Sequence, residues 1–188
     1  MYHRLSTLIV LGAPALALLS ACAAPPMAGM VATPFSQAAL PMAVQVPAGH
    51  VVALETVGAG EITYECREKA AAMGQHEWVF VGPMATLRNR QGQAIGRYFG
   101  PPATWAANDG SSITGAQLAV APAGDGNIPL QLVKANPAMG AGAMAGLSHI
   151  QRVATRGGVA PQAACGADSK GQRQVVTYQA DYIFWKPA

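Results

Sequence analysis

Near its C-terminus the chain alternates strictly, with Val176, Tyr178, Ala180, Tyr182 and Phe184 on one face and Thr177, Gln179 and Asp181 on the other. A period of two belongs to a β-strand with one buried face; no helix presents such residues as a single stripe. Ile62, Tyr64 and Cys66 repeat the pattern against Thr63, Glu65 and Arg67. At Ile183 and Trp185 the second face also turns apolar. Strands are further expected at 50–57, 77–81, 85–90, 94–99, 112–120, 128–135 and 147–155. Gln91-Gly92 and Asn108-Asp109-Gly110 are expected as turns. Only 68–73 reads as a short helix. The fold class is all-β, an antiparallel sandwich or closed barrel, in one domain over residues 47–188.

The N-terminus places that domain in a compartment. Arg4 precedes a run from Leu8 to Leu19 without charge, and small residues follow, which is the layout of a secretory signal. The run is too short to span a bilayer, which takes roughly 20 apolar residues. Leu19-Ser20-Ala21-Cys22 resembles the bacterial lipobox. That resemblance implies removal of residues 1–21, a diacylglyceryl group on the Cys22 sulfur and an acylated new terminus. Ala23 behind it implies outer-membrane sorting. An ordinary cleaved signal is the alternative.

With Cys22 lipidated, Cys66 and Cys165 remain. In an oxidising compartment such a pair is expected as a disulfide, the alternative being two buried thiols. Residues 22–46 carry no charge and include Pro25, Pro26, Pro34 and Pro41, so they read as a flexible tether. Met27 and Met30 have the spacing of a weak copper(I) motif or are mere composition. A net charge of +3 without a basic cluster gives no case for nucleic acid. Arg88, Arg90 and Arg97 read as a solvated hairpin face, or as a contact for anionic lipid or glycan.

The ordered set Glu77-Trp78-Val79-Phe80, Gly82-Pro83, Thr104-Trp105, Asn108-Asp109-Gly110-Ser111, Ile150-Gln151-Arg152-Val153, Gly157 to Pro161 with Cys165, and Tyr178 to Tyr182 with Phe184 resembles an uncharacterised family of secreted bacterial and fungal proteins, the domain of unknown function DUF3455. The resemblance runs from about Val46 to Trp185. Leu130-Gln131 stands where relatives often carry Trp followed by Leu. Some fungal relatives bear the label malate dehydrogenase, but the chain has no Gly-rich strand-to-helix fingerprint.

Candidate chemistry is sparse. Trp78 beside Glu77, and Trp105 near Asp109, offer apolar plates with one N–H donor each, suited to a sugar or equally to a core. Arg152 shares a face with Ile150, which points it inward, toward an ion pair with Asp181 or Glu77 or toward a ligand. His50, His76 and His149 form no metal motif. Ser111, His149 and Asp109 lack a nucleophile elbow, and Glu77 with Asp109 is the one carboxylate pair worth testing for glycoside hydrolysis. No metal or cofactor is called for. The expectation is a lipid-anchored envelope module that binds an unidentified small molecule, glycan or envelope protein. The alternatives are an enzyme on an envelope glycan or small metabolite, which requires Trp78, Trp105 and an acid to converge, and a periplasmic metal-binding protein, which requires two histidines to meet.

Overall fold

The computed structural model describes residues Pro34–Ala188, so the expected signal, Cys22, Met27 and Met30 lie outside the described residues. Eight antiparallel strands close into a barrel in chain order: β1 His50–Glu68, β2 His76–Arg88, β3 Ala94–Phe99, β4 Thr104–Ala107, β5 Ser112–Ala121, β6 Leu130–Ala135, β7 His149–Gly157 and β8 Arg173–Pro187. β8 returns to pair with β1 from His50↔Pro187 to Glu65↔Arg173. Of the two all-β architectures open to the sequence, the chain adopts the barrel.

Two expected boundaries vanish, and their residues show why. The sequence breaks β1 at Gly58-Ala59-Gly60, where glycine ordinarily marks a turn, yet β1 runs through. A Cβ on Gly58 would fall 2.5 Å from a ring carbon of Tyr182, so the bare backbone makes room for a large inward side chain. β2 likewise runs through Gly82-Pro83, with a register shift at Thr63/Tyr64 in the partner strand. Residues 69–75, partly expected as helix, form turns, with Ala72 N–H donating to the Lys69 carbonyl and Gln75 N–H to that of Ala72. The turn at Asn108–Gly110 forms as expected, with Gly110 at φ 90°. β4, four residues long, was not visible as a strand.

The alternation of β8 sorts the apolar residues into two cores. Tyr178, Ala180, Tyr182 and Phe184 join Ile62, Tyr64, Leu87, Tyr98, Trp105, Ile113 and Ile150 inside the barrel. Ile183 and Trp185 face outward and are buried nonetheless, in a cluster with Val44, Val46, Leu132 and Val153 against which Phe35 and Leu40 also pack. Residues 34–46 therefore do not continue the tether. They lie on the barrel wall as a strap around a 3-10 turn, Met42–Val44.

Two glutamines supply the polar contacts that composition conceals. Gln151 Nε2 donates to the Val44 carbonyl at 2.6 Å and to Gln37 Oε1 at 3.0 Å, while Gln37 brackets Val46 by accepting from its N–H and donating to its carbonyl. Buried backbone groups that would cost free energy if unpaired are thereby satisfied.

Cys66 is fully buried on β1 and forms the expected disulfide with Cys165, with a Cα–Cα distance of 5.6 Å. The bridge fastens the β7–β8 loop over the barrel end that also carries the β1–β2 loop, called the upper end below.

Candidate functional site

The residues singled out by sequence are not brought together. Trp105 on β4 is 1% exposed, stacked on Tyr98 with ring centroids 4.7 Å apart and edge-on to Tyr182 and Phe184. Its Nε1 is buried without a hydrogen-bond partner among the described residues. Trp78, near the start of β2, donates from Nε1 to the Ala163 carbonyl at 2.8 Å and so pins the disulfide-bonded loop. Across the ladders Trp105 pairs with Tyr98, Tyr98 with Ala85 and Ala85 with Gly60, whereas Trp78 pairs with Cys66. Six residues along β1 separate the two levels, about 20 Å at a strand's rise.

Glu77 is exposed opposite Arg67 at the upper end, and Asp109 sits in the β4–β5 turn at the lower end. Their levels differ by about 30 Å along β1, far beyond the roughly 5 to 10 Å that two-carboxylate glycoside hydrolysis requires. Asp109 is a loop fastener. Its Oδ1 accepts from Ser111 N–H and from Ser111 Oγ, and its Oδ2 accepts from Ala143 N–H. The Ser111 hydroxyl first, then these amides, holds the carboxyl below its ordinary pKa. Ser111 Oγ in turn accepts from Met144 N–H, which seats the buried Met144 at the lower mouth of the barrel.

Arg152 points inward as its parity requires, but the expected ion pair is absent. Asp181 lies on the opposite face of β8 and bonds to Arg90 at 2.7 Å, and Arg90 also reaches Glu55 at 2.9 Å. Arg152 instead donates from Nε and Nη2 to the Pro129 carbonyl. Its charge acts on Tyr64, Tyr98, Tyr178 and Tyr182, but burial dominates and raises the pKa of all four. They stay protonated, with Tyr64 donating to the Gly158 carbonyl and the Tyr178 and Tyr182 hydroxyls 3.2 Å apart.

His50 and His149 pack edge to face with ring centroids 4.7 Å apart. The rest of the donor set does not fit a cation. His76 is at the other end of the barrel, Lys134 pairs with His149 in the β6–β7 ladder, and among the described residues no three His, Cys, Asp or Glu side chains converge. Burial first, then Lys134 and His50, lowers the His149 pKa from its ordinary 6.5. The unfolded chain thus binds a proton near pH 6.5 that the folded chain refuses, so stability is level above that pH and falls as the pH drops below it. Unfolding midpoints measured from pH 7.5 to 5.0 are expected to decline through this window, and His149→Gln is expected to flatten the decline.

One concave surface was not read from the sequence. The outer wall of β3, β4 and β5 carries an open groove of about 560 Å³, within the size range of small-ligand sites. Its floor is made of short residues, Gly96, Ala106 and Ala107. Arg97 and Phe99, two apart on β3 and so on one face, form a wall, with the guanidinium carbon 5.2 Å from the ring centroid. Thr104, Asn108 and Ser112 add hydroxyl and amide groups. The only sequence cue was the Arg-x-Phe spacing beside a run of small residues. The sequence groups Arg97 with Arg88 and Arg90, and the structure separates them: Arg90 is ion-paired and Arg88 donates to the Gly92 carbonyl.

No curated protein and no solved structure matches the chain. A family model described as a protein of unknown function, DUF3455, matches residues 47–186, which covers the barrel from before β1 into the last residues of β8. The chain is thus a member of the DUF3455 family.

Proposed function

We propose that the chain is a binding module of the cell envelope, held at the outer membrane by lipid on Cys22, and that its barrel is a scaffold for the groove on β3–β5. The groove carries this reading, because it combines an arginine, an aromatic ring and polar side chains beside small residues. Elsewhere the candidate reactive groups have structural duties. Asp109 and Ser111 fasten a loop, Trp105 fills the interior, and Trp78 holds the disulfide-bonded loop.

Filling the groove tests the reading. Ala106 is outward and half-buried, so Ala106→Trp should occupy the floor without touching the interior. Screened against immobilised glycans and small metabolites, the wild-type chain is expected to retain a ligand that Ala106→Trp loses, with the urea midpoint unchanged. Equal binding by both proteins, or no binding by the wild type, would overturn it.

A further inference from the structure

The groove's charge specifies a ligand class. Resting on the groove as the binding site, we propose that it takes a carboxylated sugar, of the uronic-acid type, whose carboxylate is gripped by Arg97.

Among the described residues, Arg67, Arg90 and Arg173 are ion-paired to Glu65, Glu55 or Asp181, and Arg88 and Arg152 donate to backbone carbonyls. Arg97 and Arg156 enter no such bond; Arg97 is exposed in the groove wall beside an aromatic ring, whereas Arg156 lies on another wall. Stacking on Phe99 holds its guanidinium near the ring and leaves the N–H edge for a planar anion, which suits a two-point grip on carboxylate.

The rest of the groove suits a sugar ring. Asn108 donates from Nδ2 to the Ala94 carbonyl, which leaves Oδ1 as an acceptor, and Ser112 Oγ makes no side-chain hydrogen bond among the described residues. Ala106, outward on β4, presents only a methyl group to the groove, so a flat polyhydroxylated ring can approach the strand closely. A membrane surface is a poorer match. Anionic bilayers recruit clusters of about 4 to 8 basic residues, and this groove offers one cation, Arg97.

The test is calorimetric titration of the exported full chain, in mild detergent, with trigalacturonate, its fully methyl-esterified form, a neutral trisaccharide and inorganic phosphate. Trigalacturonate is expected to bind, with the ester and the neutral sugar about tenfold or more weaker, the loss of at least one charge-assisted hydrogen bond. Arg97→Gln should lose the same factor, Arg97→Lys should fall between because it keeps charge without the fork, and Arg156→Gln on another wall should change nothing. Ester and acid binding alike with Arg97→Gln silent, or phosphate binding as tightly as trigalacturonate, would overturn the ligand class. No trigalacturonate binding would overturn it too, while another ligand lost in Ala106→Trp would leave the groove standing as the site. Ligand binding that survives Ala106→Trp would overturn the groove itself.

Discussion

Replacing Cys66 and Cys165 together by alanine is expected to lower the unfolding free energy by about 4 kcal/mol. The bridge joins residues 99 apart, and a cross-link over so long a loop removes much of the conformational freedom of the unfolded chain. The folded barrel should hardly notice the loss. Trp78 still donates to the Ala163 carbonyl, Gly166 N–H to Ser169 Oγ, and Lys170 still meets Glu68 at 3.1 Å, so the β7–β8 loop keeps its non-covalent moorings. Urea titrations of the oxidised wild type and the double variant measure the difference directly. The denaturant slope is expected to be larger for the variant, because its unfolded state exposes more surface. A loss below about 1 kcal/mol would mean that the unfolded chain is already compact around these residues.

Trp185→Ala is expected to cost about 3–5 kcal/mol, the range for truncating a buried aromatic residue. By alternation the position belongs to the outward face of β8, where a solvent-exposed tryptophan would cost little. Here the indole is 6% exposed, meets Phe35 edge-on at 6.2 Å, and donates from Nε1 to Gln151 Oε1 at 2.9 Å. Its removal opens a void under the strap and takes a donor from the glutamine that holds Val44. Hydrogen exchange should therefore quicken at Val44 to Val46 as well as the global stability falling. A stability loss under about 1 kcal/mol, with protection of the strap unchanged, would show that residues 34–46 do not depend on this contact.

The strands were legible where alternation was clean, as in Val176–Phe184 and Ile62–Arg67, because a half-buried strand prints its faces into the sequence. Cysteine parity gave the disulfide. Barrel closure was not legible, since it depends on β1 running unbroken through Gly58 and Gly60, which read locally as turn residues although they accommodate Tyr182 and Ala85. The strap was missed for a related reason. A stretch without charge resembles a linker unless the glutamine that satisfies its backbone is known, and Gln151 lies more than a hundred residues away from Val44. At the candidate site, Trp78 and Trp105 each stand beside polar groups in the sequence, but nothing local reveals that six residues of β1 separate their levels. The groove depends on three strands meeting, with short side chains on β4 beside Arg97 and Phe99 on β3, a juxtaposition no single stretch displays.

The strap also sets a distance. With residues 34–46 held on the barrel, the leash of a Cys22-anchored protein is only the stretch from Cys22 to Pro34, which can span at most about 40 Å even when fully drawn out. A leash running to Val46 would reach twice as far. On the proposed anchor at Cys22, the barrel wall would be confined to a thin layer next to the bilayer, and whatever it captures would have to come within that layer to be met.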